Sequence, residues 1–286
     1  ASPALPPHST AESGPMHFDP PSVREFEHRG WEQAAACYRV TFAHATEGFV
    51  ALLLDAAGVG AGTRVLDLAC GPGLVAAAAA ERGAVPVGVD FSAAMLAAAR
   101  AAHPAIRFVE ADADVLPCVD GACDAVASNF GVHHFPDPAR ALGEARRVLR
   151  PGGRIAFTSW AAPPENRAWK VLFDAVAAHG DPHAAQAPPS GGGLRRPEDA
   201  LSLLAASGFV GAEARPIERL WHIAASGDLV AGFRQGTVRT AALIAAQNEA
   251  ALAAINAAVA ESLAPYRQPD GYAVPVVAIL ACGVKP

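Results

Sequence analysis

The 286 residues, 52% hydrophobic and 17% charged, suffice for one large α/β domain with an insert and exclude a disordered or fibrous chain. A net charge of −6 disfavours wide contact with phosphate backbones, because nucleic-acid binders present a basic face. No run reaches the roughly 18 apolar residues that a membrane span needs, since Arg, Glu or Gly interrupt the alanine runs. The first 22 residues carry six prolines and no cationic stretch leading into an apolar one, so they read as a disordered tail, and a cytoplasmic location is expected. Cys37, Cys70, Cys118, Cys123 and Cys282 are scattered without a C-x-x-C pair, which favours reduced thiols over disulfides or a metal site.

From Val23 to Ala57 the pattern is helical, with Phe42, Phe49, Val50, Leu53 and Leu54 forming an apolar stripe that ends at Gly58 and Gly60. Short apolar runs then alternate with alanine-rich helices. The runs 64–69, 85–90, 106–110, 124–129 and 153–160 predict five strands, and 74–82, 92–102 and 138–149 predict the helices between them, the last closed by a turn at 150–153. Such an order gives a doubly wound parallel sheet whose strand C-termini share one edge, where ligands bind. A helix over 166–178 precedes a Pro/Gly-rich loop over 181–193, read as a lid hinge. A further helix ends at Ser207-Gly208, and 209–218 reads as a sixth strand. Two helices are predicted over 220–265, the second from Thr240 to Leu263 with Ile244, Leu252, Ile255, Val259 and Leu263 on one side. A last strand covers 272–283, with Pro275 tolerated near its start. The organisation is one domain over 23–286, made of N-terminal helices (23–57), a sheet core (64–218 and 272–284) and a helical insert or lid (220–265).

The strongest motif is Val65-Leu-Asp-Leu-Ala-Cys-Gly-Pro-Gly73, a buried strand running into a glycine turn at a helix start. Gly71 and Gly73 let the backbone turn sharply and approach a ligand closely. Asp90, at the end of the next strand, is placed to accept hydrogen bonds from both hydroxyls of a ribose. These features also satisfy the relaxed dinucleotide fingerprint, with Ala76 in the third position. Charge separates the two readings. A pyrophosphate wants a positive field at this turn, whereas Asp67 supplies a negative one, suited to the ammonium and sulfonium of S-adenosylmethionine. Phe91 can lie along an adenine face, and Asp112 can accept from the adenine amino group.

With Val87-Gly-Val-Asp-Phe-Ser92, Glu110-Ala-Asp-Ala-Asp-Val-Leu-Pro117, Cys123-Asp-Ala-Val-Ala-Ser-Asn129 and Arg146-Arg-Val-Leu-Arg-Pro-Gly-Gly153 following in order, the chain resembles the class I S-adenosylmethionine-dependent methyltransferases. The likeness is strongest to the ubiquinone/menaquinone C-methyltransferase and small-molecule subgroup, and it covers roughly residues 31–161. It implies a Rossmann-like seven-stranded sheet with an antiparallel last strand and helical lid elements. It also implies that Asp67, Ala69, Gly71 and Gly73 hold the methionine end, Asp90 and Phe91 the ribose and adenine, and Asp112 with Ala113 the adenine rim. Asn129 would close the site below the sulfonium, and Tyr38 would cap it. Met95 fits either an adenine contact or a core position. Asp114 and Asp120 read as solvated loop acids.

The implied activity is transfer of a methyl group from S-adenosylmethionine to a small, apolar or aromatic acceptor in small-molecule biosynthesis, leaving S-adenosylhomocysteine. A cofactor-binding partner protein without turnover would keep the same motifs, and an NAD-dependent oxidoreductase shares the architecture. The expected partners are a small-molecule substrate, no nucleic acid, and at most a second copy of the chain. His133 and His134, in Gly131-Val-His-His-Phe-Pro136, are the catalytic candidates, since an imidazole near neutrality can act as general base; a cofactor-positioning role fits equally. Trp31, Trp160, Trp221 and Phe233 are candidates for the acceptor pocket, against core packing for each.

Overall fold

The computed structural model describes residues 19–185, 187–188 and 193–286. Of the tail expected over 1–22, residues 1–18 lie outside the described residues, as do 186 and 189–192 of the expected lid hinge. Residues 20–22 correct that expectation, because they open the first helix. Asp19 accepts a hydrogen bond from the Ser22 N–H at 3.3 Å, and Pro20 and Pro21 occupy positions whose N–H would have no partner in a helix.

The helical stretch expected over 23–57 is three helices, α1 (Pro20–Thr41), α2 (Ala43–Glu47) and α3 (Val50–Ala56), broken where Phe42 and Phe49 turn into the core. The alternating part follows as β1 (Arg64–Leu68), α4 (Leu74–Glu81), β2 (Val85–Asp90), α5 (Ala93–Ala102), β3 (Arg107–Glu110), β4 (Cys123–Asn129) and α6 (Pro138–Val148). Strand β5 (Leu149–Trp160) absorbs the turn expected over 150–153, where Gly152 N–H donates to the Lys285 carbonyl at 2.8 Å. Then come α7 (Arg167–His179), α8 (Pro197–Ala206) and β6 (Val210–Ile223), the last longer than expected because it pairs along nearly all of the final strand. The segment 220–265 therefore opens as strand, and it carries three helices instead of two: α9 (Gly227–Gly236), α10 (Arg239–Ala245) and α11 (Glu249–Ser262). Asn248 divides the helix expected from Thr240 to Leu263, because its side chain caps α11 through the Ala251 N–H at 2.9 Å. A two-residue β7 (Arg267–Gln268) and β8 (Gly271–Val284) complete the chain. No helix among the described residues is long and apolar enough to cross a membrane.

The sheet order is β3-β2-β1-β4-β5-β8-β6, with β3 to β5 parallel and β8 antiparallel to both neighbours; β7 pairs only with β8 and makes an eighth strand. Helices α3, α7, α9 and α11 pack on one face, and α6 and α8 on the other. The apolar stripe of Ile244, Ile255, Val259 and Leu263 is core, packed with α7 and α9. Arg147 on α6 ties down the loop after β3 by donating to the carbonyls of Leu116 (3.0 Å) and Cys118 (2.7 Å), which fixes the approach to Asp112.

Trp221 and Phe233, expected at the acceptor, are core residues at 1% and 0% exposure. Their rings stand 5.6 Å apart and meet Phe42 at 5.4 and 5.8 Å. Glycine makes this packing possible: a Cβ on Gly232 would stand 2.8 Å from the Trp221 ring, and one on Gly236 only 2.1 Å from the Phe42 Cβ. Helix α9 can thus lie against α1. Trp221→Ala is expected to cost about 3–5 kcal/mol, read as a lower urea midpoint. A midpoint equal to that of the unaltered protein would show that the ring is not packed as described.

Candidate functional site

The parallel strands end on one edge, and two of the turns there hold strained backbone. Ala69 after β1 and Phe130 after β4 both have positive φ, 58° and 59°, a conformation that costs a non-glycine residue about 1–3 kcal/mol and clusters at functional sites. The two turns touch, since a Cβ on Gly131 would stand 2.6 Å from that of Ala69. Above this edge lies a cavity of about 470 Å³, a size typical of small-molecule sites.

Of the cofactor candidates, Tyr38, Asp67, Ala69, Gly71, Asp90, Phe91, Met95, Asp112, Ala113 and Asn129 line the cavity. Gly73 does not. Its left-handed φ of 83° caps α4, and an added Cβ would meet the Phe108 ring at 2.7 Å, so its glycine serves the turn and the packing of the helix on β3. Met95 has both expected characters, being 3% exposed, packed with Ala34 and Ala35, and part of the cavity wall.

The acids differ in how they are held. Asp67 is fully buried; Oδ2 accepts the Ala76 N–H at 2.9 Å, while Oδ1 is buried with no partner among the described residues. Burial pushes its carboxyl up to about 7, with the nearby Asp90 adding to the shift and the Ala76 N–H opposing it. Asp90 accepts the Gly71 N–H (2.8 Å) and the Ser92 N–H (2.9 Å), one on each oxygen, so it also holds the glycine turn in place. Burial raises its carboxyl too, against those hydrogen bonds. Asp112 pairs with Arg24 of α1 at 2.9 Å, and so does Asp114 at 2.8 Å. Asp114 is thus a buried, paired acid rather than the solvated one expected, whereas Asp120 is exposed beside Arg147.

Helix α1 roofs the cavity. Glu32 accepts from the Ser92 hydroxyl (2.7 Å) and the Ala94 N–H (3.2 Å), which pins the roof to the start of α5. Glu27, 1% exposed, meets His134 Nδ1 at 3.0 Å with one oxygen and Arg239 Nε at 2.7 Å with the other. Burial would raise its carboxyl, but His134 and Arg239 together hold it below the usual range. Burial also pulls His133 well below the ordinary histidine value, with His134, Arg195 and Arg239 acting in the same direction. Tyr38, pushed up to about 12 by burial, stays a neutral hydroxyl 3.3 Å from that of Thr46.

Aromatic residues form another part of the wall. Trp31 and Trp160 line the cavity as expected, and Trp221 and Phe233 do not. Trp160 stacks on Phe130 at 3.8 Å and leans on Trp169 at 4.4 Å. Asn129 is locked at the floor: its amide donates to the Thr46 carbonyl (3.2 Å) and its oxygen accepts from Thr158 (2.8 Å). Sequence reasoning missed Arg24, Glu27, Trp169, Arg195 and Arg239, all in the cavity wall. None sits in a motif, and the one available signal was an acid and an arginine on otherwise apolar helix faces.

Residues 66–157 match the family described as "Methyltransferase domain". A demethylmenaquinone methyltransferase of Thermus thermophilus is 46% identical over 122 residues, which are 40% of this chain and 56% of that protein. One from Beutenbergia cavernae is 42% identical over 111 residues, 39% of this chain and 46% of that protein. The chain thus spans about half the length of the curated relatives it matches. Among solved structures, the YcgJ protein of Bacillus subtilis shares the fold with a TM-score of 0.51 at 20% identity, over 83% of this chain and 98% of its own. A Haemonchus contortus phosphoethanolamine N-methyltransferase, solved with phosphomonomethylethanolamine and S-adenosylhomocysteine, does so with a TM-score of 0.52 at 20% identity, over 84% and 52%.

The raised carboxyl of Asp67 has a measurable sign. Its folded value near 7 lies above the ordinary 3.8, so folding takes up a proton between these values and stability falls as pH rises through that window. Asp67→Asn keeps the acceptor for Ala76 and removes the charge, so its Tm relative to the unaltered protein is expected to rise by several degrees from pH 5 to pH 8. A difference that does not change with pH would show that Asp67 titrates normally.

Proposed function

We propose that this chain, which carries a class I S-adenosylmethionine-dependent methyltransferase domain, transfers the methyl group of S-adenosylmethionine to a small acceptor with an aromatic body and releases S-adenosylhomocysteine. The observation that carries this reading is the placement of three carboxylates, Asp67, Asp90 and Asp112, at the ends of three adjacent strands around one cavity. The residues fit the cofactor. Asp67 Oδ1 is a buried acceptor without a donor, as an ammonium group would require, and a Cβ on Gly71 would find nothing closer than the Met95 sulfur at 3.9 Å.

When bound, S-adenosylmethionine supplies a methyl group on a positively charged sulfur. The chain's part is positioning. Asp67 takes the ammonium end, Asp90 keeps spare lone pairs on both oxygens for the ribose hydroxyls, and Phe91 and Met95 flank the adenine while Asp112 and Ala113 meet its edge. Holding the acceptor in line with the methyl group can supply on the order of 7–11 kcal/mol of the barrier reduction. As the acceptor atom's bond to carbon forms and the carbon–sulfur bond breaks, the acceptor's proton needs a base. His134 fits: its Nδ1 stands 3.0 Å from the Glu27 carboxylate, which orients the ring, and the residue lines the cavity. His133, neutral near pH 7, sits against it with rings 4.2 Å apart and keeps it in place. The demethylmenaquinone methyltransferases among the relatives support an aromatic acceptor, as do the stacked Trp160, Phe130 and Trp169.

S-adenosylhomocysteine at a hundredfold excess over its Kd is expected to stabilise the protein by roughly 2.7 kcal/mol, read as a raised Tm, with no shift from NAD. The reverse pattern would overturn the reading. His134→Gln is expected to lower kcat by roughly 10²–10⁴ with the affinity for S-adenosylhomocysteine unchanged. An unchanged kcat in the folded variant would remove His134 from the reaction.

A further inference from the structure

The charged groups of the cavity wall fall into two sets. The strand-end acids are one, with Arg24 on Asp112, and the other is Arg195, Arg239, His133 and His134 against a single carboxylate, Glu27. Both Glu27 oxygens are already engaged, so that set keeps an excess of donors. Arg239 shows it most directly. Its Nε serves Glu27 and its Nη1 the Pro188 carbonyl at 2.6 Å, but its Nη2 is buried with no acceptor among the described residues. His133 Nδ1 is buried and unpartnered in the same way. Leaving a buried donor on a charged group unmatched is unfavourable, so an acceptor brought by a ligand would be favoured there. The positive field is also felt by His133, whose protonated form is disfavoured by burial first, with Arg195 and Arg239 acting in the same direction. Trp160, Trp169 and Phe173 line the same cavity.

Resting on the methyltransferase reading, we propose that the acceptor is an aromatic carboxylate. Its carboxylate is held by Arg239 and Arg195 with His133, and its ring system lies along Trp160 and Trp169. A carboxylate is the group that matches the wall, since its two oxygens offer acceptors to several donors at once and a guanidinium binds it through parallel charge-assisted hydrogen bonds. The handle is distinct from the reacting atom. Anchoring the acid at Arg239 places the rest of the ring toward His134 and the strand-end half of the cavity, where the methyl group is delivered. Specificity follows from the unmatched donors, because a neutral analogue leaves them buried and unpaired.

The test uses two probes of the same size, 2-naphthoate and the neutral 2-naphthalenemethanol, titrated calorimetrically into the whole chain with and without S-adenosylhomocysteine. The naphthoate is expected to bind about tenfold more tightly or better, the margin of one charge-assisted hydrogen bond. Arg239→Met is expected to abolish that preference. Because Arg239 also neutralises Glu27, Arg195→Met serves as a second variant: Arg195 is exposed and outside the Glu27 contacts, and its loss is expected to cut the preference several-fold while S-adenosylhomocysteine still binds as in the unaltered protein. Equal affinity for the two probes, no binding of the naphthoate, or a preference that persists in both variants overturns the proposal. Preference for the naphthoate in a chain that fails to bind S-adenosylhomocysteine would support the anion site and defeat the methyltransferase reading; tight S-adenosylhomocysteine binding without preference would do the opposite.

Discussion

The carboxylate of Glu27 is the contact on which the site depends. It is buried, and a buried charge persists only if its surroundings supply opposite charge and hydrogen bonds. Here His134 and Arg239 supply both, and they come from the turn after β4 and the start of α10. Three segments that are distant along the chain must therefore meet at one point for the carboxylate to be tolerated. Pairs of this kind add little net stability compared with apolar packing, but losing one partner leaves the other exposed to the full desolvation cost. Their structural effect is registration: Glu27 ties α1 to the turn after β4 and to the start of α10 at one point.

The other charges on α1 act in the same sense with less force. Arg24 holds Asp112 and Asp114 at one end, and Glu32 caps α5 further along. Arg24 is 45% exposed, where such pairs are worth roughly 0–1 kcal/mol, so that end of the roof is the easier to release. Asp112 is also the acid assigned to the adenine edge. On the proposed reading, a nucleoside there would meet a carboxylate already carrying a guanidinium from α1.

The legible part of this protein in its sequence is the part whose geometry is local. The turn at Gly71 and Gly73 favours glycine because φ angles of 50° and 83° strain any residue with a side chain, and Asp67 and Asp90 fall at strand ends because the turn and the helix after it are held from there. Period and spacing therefore revealed strands β1 to β5 within a few residues. The helical part failed where distant packing decides. Nothing local distinguishes Trp221, packed on Phe42 and Phe233, from an aromatic facing a ligand. Glu27 looks like any helical acid, since its partners lie 107 and 212 residues away. The break at Asn248 is a cap signal that the apolar stripe running across it concealed.

The same division explains what the relatives share with this chain. The family match stops at residue 157, inside β5, and so covers the ends of the parallel strands β1 to β4 but none of α7 to α11. A nucleoside and an amino acid tail have fixed dimensions, and any chain that holds them on parallel strands must place acids and glycines in nearly the same order. The wall proposed for the acceptor has no such template. It is assembled from Glu27, His134, Trp169, Arg195 and Arg239, each on a different segment, and its charge is opposite to that of the strand ends. A cation held at Asp67 and an anion held at Arg239 would each be repelled from the other's place. On the proposed reading, charge would orient the two ligands before any shape complementarity is considered, with His134 beside the Glu27 and Arg239 pair.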